Sequence, residues 1–129
     1  MTHANNRALR ALLFMLPMAC AAPSTSTSAD PRTFQKSIGG TGAQLIDVRT
    51  PAEFQSGYIA GARNLDWTGG QLEQHAGELD RSKPVLLYCA SGRRSAAAST
   101  FLKQEGFTLV TDLDGGIHAW EAAGLAVSR

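Results

Sequence analysis

Cys89 is the residue of this sequence best suited to covalent chemistry. Gly92, Arg93 and Arg94 follow it within five positions. A cysteine is a good nucleophile only as the thiolate, and a thiolate forms readily only beside positive charge or N–H donors. A free cysteine also packs well as a small core residue, but a core cysteine has no use for a glycine and two arginines directly behind it. The pattern therefore favours a nucleophilic cysteine in an anion-binding loop.

The residues around Cys89 predict a strand, a tight loop and a helix. Residues 85–89 are apolar or aromatic and follow Pro84, which is typical of a short strand buried on both faces and ending at the cysteine. Ser95 can cap a helix that begins with three alanines and continues to about Gln104. The unpaired N–H groups at the start of that helix would point at the cysteine.

The segment from Cys89 to Ser95 reads C-A-S-G-R-R-S and resembles the active-site loop of the rhodaneses. These are single-cysteine sulfurtransferases whose loop is often written C-x-x-G-x-R. The rival is the cysteine phosphatase loop C-x5-R, which would need an arginine at position 95. Because Cys89 through Arg94 is six residues, loop length favours transfer of sulfur over hydrolysis of phosphate.

Three further segments are similar to rhodanese motifs and occur in the family's order. Residues 45–54 resemble L-I-D-V-R-x-x-x-E-F, and residues 113–120 resemble L-x-G-G-x-x-A-W. Residues 57–64 resemble G-H-I-x-G-A-x-N, with Tyr58 in place of the histidine. The substitution affects one local hydrogen bond and none of the chemistry. The resemblance covers about residues 32–127.

The resemblance implies an α/β domain of the rhodanese-like fold, with a central parallel sheet and helices on both faces. In such sheets the reactive site lies at the carboxyl ends of the strands. It also implies that the Cys89 thiolate takes sulfur from a small anionic donor such as thiosulfate and becomes a persulfide. The sulfur then passes to an acceptor thiol or to cyanide, and no metal or organic cofactor is implied.

Roles for the other site residues follow from the same resemblance. Arg94, together with Arg93, would hold the donor and the departing sulfite, and the loop backbone would hold the persulfide. The loop residues that would contribute are Ala90, Ser91, Gly92 and Ser95. Asp47 and Arg49 are interpreted as an ion pair that supports the cysteine loop from a neighbouring strand end rather than as substrate ligands.

Two other classes of function are alternatives. A noncatalytic rhodanese-like binding or sensing module would normally have the cysteine replaced, so the presence of Cys89 with both arginines argues against it. A cysteine phosphatase or arsenate reductase is disfavoured by the loop length.

The rest of the domain alternates between strand and helix patterns. Helices are predicted at residues 33–37, 51–55 and 71–79, and strands at residues 43–48, 62–65 and 109–113. Thr50 is the expected N-cap of the second helix, with Pro51 at its first position. Trp120 is expected to pack in the core from a terminal helix that follows the close turn at Gly115 and Gly116.

Length and composition limit the other possibilities. A chain of 129 residues has room for one domain, and a formal net charge of +1 gives no indication of nucleic-acid binding. Two cysteines cannot form a disulfide framework, and no Cys/His spacing is typical of a metal site.

The N-terminus is predicted to be an export signal. Arg7 and Arg10 precede an apolar run at residues 11–16 that is too short to span a bilayer comfortably, and small residues follow. Two processing routes fit: signal-peptidase cleavage near residues 19–22, or cleavage before Cys20 with lipid attached to its thiol. L-P-M-A-C resembles a lipobox but has its leucine one position too far from the cysteine.

The predicted organisation is a signal at residues 1–22, a Ser/Thr-rich linker at 23–31 and the rhodanese domain at 32–129. The expected location is the periplasm, either free or held to the membrane by lipid on Cys20.

Overall fold

The computed structural model describes residues 25–129. The predicted export signal, Cys20 and the first two linker residues lie outside the described residues. The strands are β1 Thr25–Ala29, β2 Gln44–Asp47, β3 Arg63–Asn64, β4 Val85–Tyr88 and β5 Leu109–Leu113. The helices are α1 Pro31–Ile38, α2 Pro51–Gln55, α3 Gln71–His75, α4 Arg93–Gln104 and α5 Gly116–Ala122, with a 3-10 turn at Ala76–Glu78.

The five strands form one sheet in the order β1-β5-β4-β2-β3. Every neighbouring pair is parallel, so the predicted parallel α/β architecture is confirmed. Strand β4 lies at the centre, and Cys89 follows directly at its carboxyl end. In a parallel sheet this is the edge where loops carry reactive groups.

The sheet has a hydrophobic core on each face. Alternate residues of β4 point to opposite sides: Val85 and Leu87 pack with α3 and α4, whereas Leu86 and Tyr88 pack with α1 and α5. All four are almost completely buried, which explains why the strand sequence is continuously apolar rather than alternating. Cys89 belongs to the first core. The predicted helices on both faces are therefore confirmed.

The sequence signals for the shorter helices agree with the structure. Thr50 caps α2, Pro51 is its first residue, and Glu53 completes a capping box with Thr50. The helix predicted at residues 71–79 is α3 followed by the 3-10 turn. Trp120 is 4% exposed and donates its indole N–H to the carbonyl of Ala126 at 2.9 Å.

The linker prediction was wrong for residues 25–29. This segment is β1, which pairs in parallel with β5 from Thr25 opposite Leu109 to Ala29 opposite Leu113. Its Ser/Thr composition looked like low complexity, yet an edge strand needs little apolar character when one edge of β5 is free to hydrogen-bond. The ordered domain thus begins before position 32. No helix in the part of the chain described here is long and apolar enough to cross a membrane.

Asp112 is an acidic residue on strand β5 of the sheet. Its Oδ1 atom is buried and accepts no hydrogen bond. Burial raises the pKa of Asp112 above its ordinary value of 3.8; the Ser95 hydroxyl opposes this shift and the charge of Asp114 adds to it. The folded state therefore binds this proton more readily than the unfolded state, and the ionised carboxylate opposes folding.

We expect Asp112→Asn to stabilise the domain at pH 7 by about 1 kcal/mol, because it removes a desolvated charge while keeping the side-chain shape. The cost of burying the ionised Asp112 carboxylate is absent below its ordinary pKa and complete above its raised pKa. The stability gained by Asp112→Asn should therefore disappear near pH 3 to 4. Urea denaturation of both proteins at several pH values measures it. Asp114→Asn, at an exposed position in the turn that follows β5, is the control and should change stability by less than about 0.5 kcal/mol. A loss of stability in Asp112→Asn at pH 7 would contradict this account.

Candidate active site

The sulfur of Cys89 lies inside the loop that joins β4 to α4. Cys89 is 1% exposed. Its Sγ accepts a hydrogen bond from the backbone N–H of Gly92 at 3.1 Å. The Ser95 hydroxyl lies 3.4 Å from Sγ and 3.3 Å from the carbonyl oxygen of Gly92, and it can donate to either. Both donors approach from the helix side of the loop. They are the contacts that an anionic sulfur requires.

Helix α4 begins earlier than the sequence indicated. Gly92, with φ of +104°, is its N-cap, and Arg93 is its first residue. Ser95 was predicted to be the cap, but it is the third helical residue and is fully buried. The reason is tertiary: glycine can adopt the left-handed backbone that ends the loop, and this brings the Ser95 hydroxyl inward to the sulfur. A surface cap would have left that hydroxyl in solvent.

The start of α5 holds the first two peptide groups of the cysteine loop. The N–H of Ile117 donates to the carbonyl of Cys89 at 2.9 Å, and the N–H of His118 donates to the carbonyl of Ala90 at 3.1 Å. Gly116 makes this approach possible: it has φ of +62°, and a Cβ there would lie 2.5 Å from the Ala90 carbonyl carbon. With these two carbonyls turned toward α5, the N–H groups of the same peptides, those of Ala90 and Ser91, point away from α5.

Arg94 is held by Glu53 of α2. Nη1 lies 2.7 Å from Oε1 and Nη2 lies 2.9 Å from Oε2, a bidentate pair in which both side chains are about one-third exposed. The hydrogen bonds from Arg94 are the main reason that the pKa of Glu53 falls to about 2. Arg94 therefore lies beside the loop already paired with a carboxylate, a partner that the sequence analysis did not assign to it.

Glu53 was missed because its sequence signal had a local explanation. Thr50 and Glu53 form the capping box of α2, in which the Thr50 N–H and hydroxyl donate to Oε1 at 3.4 and 3.1 Å. The same carboxylate thus caps one helix and pairs with an arginine on another. Only the spacing T-x-x-E was visible in the sequence, and it indicates the cap alone.

Asp66 is a second carboxylate near Arg94 that the sequence analysis missed. It follows β3 and is 8% exposed, and its Oδ1 atom accepts no hydrogen bond. The pKa of Arg94 is raised chiefly by its hydrogen bonds to Glu53, and the negative charges of Cys89 and Asp66 raise it further. No motif around Asp66 distinguished it from an ordinary turn residue.

Arg93 pairs with neither of these carboxylates. It is exposed and takes part in none of the ion pairs found among the described residues. It lines an open cleft of about 600 Å³ on the outer side of the loop, together with Ser91, Asp112 and Asp114. The two arginines thus differ: the charge of Arg94 is balanced by Glu53, whereas Arg93 forms no ion pair among the described residues.

Asp47 and Arg49 form the buried ion pair that the sequence suggested, with Nη2 and Oδ2 2.7 Å apart. Nη2 of Arg49 also donates to the carbonyl of Gly57 at 2.7 Å. Nearby, the Tyr88 hydroxyl accepts the N–H of Ile59 at 3.0 Å. These hydrogen bonds hold the turn at Gly57 against the ends of β2 and β4. The predicted support of the cysteine loop is therefore indirect, through the strand end that precedes Cys89.

The assembled loop has the properties of a nucleophilic thiolate site. It has a cysteine sulfur with two donors, a helix N-terminus behind it and an arginine at its rim. Residues 30–123 match the family described as the rhodanese-like domain. The chain belongs to this family.

Individual relatives are consistent with the family assignment. The chain is 46% identical over 78 residues to the Bacillus subtilis protein YqhL, a match that spans 60% of each protein. It is 34% identical over 85 residues to the thiosulfate sulfurtransferase GlpE of Ectopseudomonas mendocina, covering 66% of this chain and 76% of that one. The rhodanese-related protein of Thermoplasma volcanium has a similar structure, with a TM-score of 0.71, 33% identity and coverage of 79% and 97%.

We expect Gly116→Ala to lower the free energy of unfolding by about 3 kcal/mol. The new methyl group would meet the Ala90 backbone, which cannot rotate away as a side chain could, and an alanine is strained at φ of +62°. Urea denaturation provides the measurement.

Gly124→Ala is the matched control for Gly116→Ala. Gly124 has φ of +78°, and no atom lies within 4 Å of the position that a Cβ would take there. The control therefore tests backbone strain alone and should cost about 1 kcal/mol. Equal losses in the two variants would show that the contact between α5 and the cysteine loop is not tight.

Proposed function

We propose that the protein is a sulfurtransferase that moves sulfane sulfur from thiosulfate or a related anionic donor to a thiophilic acceptor through a persulfide on Cys89. The observation that carries this proposal is the Cys89 sulfur, which receives the Gly92 N–H and the Ser95 hydroxyl at the N-terminus of α4. Membership of the rhodanese-like family and the thiosulfate sulfurtransferase among its relatives support it.

The first half-reaction loads the cysteine. The Cys89 thiolate attacks the outer sulfur of thiosulfate and forms a new S–S bond, the S–S bond of thiosulfate breaks, and sulfite leaves with the electron pair. In the second half-reaction a thiolate or cyanide attacks the outer sulfur of the persulfide. The Cys89 thiolate leaves and is ready for another cycle. Neither step needs an oxidant, a reductant or a cofactor.

The loop can stabilise the negative charge that stays on sulfur throughout. The first helical residues, Arg93, Arg94 and Ser95, have no intrahelical acceptors for their backbone N–H groups. These groups and the helix dipole favour an anion at the α4 N-terminus. Gly92 and Ser95 contact the inner sulfur, which leaves the other N–H groups of the loop, from Ala90 to Arg94, for the outer sulfur of a persulfide. Arg93 adds positive charge for the donor, whereas the charge of Arg94 is balanced by its ion pair with Glu53.

Treatment with thiosulfate should make the protein heavier by one sulfur atom, and cyanide should reverse the change with release of thiocyanate. We expect Cys89→Ser to show neither the adduct nor turnover, because a serine hydroxyl is not ionised at neutral pH and cannot form a persulfide. Intact-mass spectrometry and a thiocyanate assay provide the two measurements.

Circular dichroism of Cys89→Ser is the folding control for this experiment, since serine replaces a buried sulfur. An aryl phosphate tested in parallel identifies the phosphatase alternative. A folded Cys89→Ser variant that still transfers sulfur would rule out the persulfide, and hydrolysis of the phosphate without any sulfur adduct would replace the proposal.

We also propose that the protein is exported, with Cys20 as the site of lipid attachment. The basic and apolar pattern of residues 1–22 supports export, and the resemblance of L-P-M-A-C to a lipobox supports lipidation. A single acyl chain binds membranes weakly, so stable anchoring requires the several chains that lipoprotein processing attaches.

Fractionation of cells that produce the full chain tests the location. The wild-type protein should sediment with membranes, and Cys20→Ser should release it to the soluble fraction with sulfur transfer unchanged, because the substitution lies far in sequence from Cys89. A wild-type protein found wholly in the soluble periplasmic fraction would disprove lipidation and leave export intact.

A further inference from the structure

The Glu53–Arg94 pair fixes the electrostatic balance of the site before any donor arrives. Both Nη atoms of Arg94 contact the carboxylate, at 2.7 and 2.9 Å. Glu53 is itself held in place, because Thr50 donates to its Oε1 from the N-cap of α2. The carboxylate therefore cannot swing away freely when an anion approaches Arg94.

The other charged groups around Arg94 do not offset this carboxylate. Asp66, in the segment after β3, and Cys89, at the end of β4, both act on Arg94 as negative charges and raise its pKa. Arg93 is the neighbouring cation on α4, but it lines the outer cleft instead. With Cys89 as thiolate, three negative groups act on one guanidinium. A donor meets a site in which the positive charge of Arg94 is already compensated.

This balance affects donors according to their charge. A dianion such as thiosulfate is repelled by Glu53, Asp66 and the thiolate about twice as strongly as a monoanion in the same position, because the Coulomb energy is proportional to the charge. The compensation of Arg94 removes the attraction that would offset the repulsion. A donor with one negative charge, or none, is repelled less and is less affected by the lost attraction of Arg94.

We propose that Glu53 is a specificity-determining residue that, by pairing with Arg94, makes the site prefer singly charged sulfane donors to dianionic thiosulfate. The inference rests on the proposed sulfur transfer at Cys89 and adds the charge class of its donor. The chemistry is the same for both classes. With an alkanethiosulfonate, R–SO2–S⁻, the thiolate bonds to the outer sulfur, the donor S–S bond breaks, and the sulfinate R–SO2⁻ leaves with the electron pair.

Methanethiosulfonate and thiosulfate form a matched pair of probes. They share the sulfane sulfur and the tetrahedral centre and differ in that a methyl group replaces one charged oxygen. Glu53→Gln is the decisive variant, because glutamine is the other residue accepted at this position of a capping box. It keeps an oxygen for Thr50 and removes the charge.

We expect Glu53→Gln to raise the ratio of kcat/KM for thiosulfate to that for methanethiosulfonate about tenfold, equivalent to about 1.4 kcal/mol. In the wild type, added salt should increase kcat/KM for thiosulfate by screening the repulsion, and this increase should be smaller in the variant. If the role of Glu53 were purely structural, Glu53→Gln would lower kcat/KM for both donors by the same factor and would not change the salt response.

Two controls separate charge from folding. Glu78→Gln removes a carboxylate that is also paired with an arginine, Arg63, but on the 3-10 turn after α3, and it should leave the donor ratio unchanged. Thr50→Val removes the hydroxyl that helps to hold Glu53 and weakens the cap of α2, but Glu53 and Arg94 keep their charges. It should therefore lower thermal stability and raise the ratio by much less than Glu53→Gln does. A rise of similar size in either control would overturn the role assigned to Glu53.

Alkylation of Cys89 provides a test that does not need sulfur transfer. Iodoacetate and iodoacetamide react at the same sulfur and differ by one negative charge. Glu53→Gln should increase the rate with iodoacetate relative to iodoacetamide about tenfold. An unchanged alkylation ratio, or an unchanged donor ratio in a folded variant, overturns the inference. Absence of sulfur transfer from both donors in the wild type, with the alkylation ratio shifted as expected, would instead disprove the proposed function.

Discussion

The contact between the start of α5 and the cysteine loop is the constraint on which the site depends. Two N–H groups of α5 bind the carbonyls of Cys89 and Ala90, and each hydrogen bond fixes the plane of one peptide. A peptide group whose carbonyl is held on one side presents its N–H to the other side. The N–H groups of Ala90 and Ser91, which belong to these two peptides, are therefore oriented by the fold rather than by the substrate. Gly116 makes the contact possible because it places no side chain between the two backbones.

A buried polar network supports the loop from below. Asp47 and Arg49 are almost completely buried, and removing two charges from water costs free energy that their attraction does not always recover. The pair is best understood through the groups it fixes: Arg49 holds the carbonyl of Gly57, and the hydroxyl of Tyr88 holds the N–H of Ile59. These bonds connect a surface turn to the strand ends at which the reactive loop begins. The network thus contributes to a single arrangement of the strand ends.

The architecture followed from the sequence because its signals are local. The apolar run of β4, the Thr50 and Pro51 start of α2 and the glycine pair before α5 each limit the backbone directly, and parallel strands then place Cys89 at the site edge. The start of α4 was placed wrongly because Ser95 suits a cap as well as it suits an inward donor, and only packing distinguishes the two. The strand β1 was missed for a similar reason, since its residues gain their order from pairing with β5.

The side-chain partners could not be read from the sequence because they lie far apart in the chain. Glu53 and Arg94 are 41 positions apart, and nothing local to either residue specifies the other.

The loop backbone and the paired arginine have different effects on negative charge at the site. In the proposed reaction the thiolate and the persulfide both carry one negative charge. The donors of one loop would serve both states without rearrangement, Gly92 at the inner sulfur and its neighbours at the outer one, as electrostatic preorganisation requires. The arginine at the rim has a different part: because its charge is balanced by Glu53, the stabilisation of sulfur falls to the Gly92 N–H, the Ser95 hydroxyl and the α4 N-terminus. In the proposed reaction the backbone would hold the reacting sulfur, and the paired side chains would determine which anions reach it.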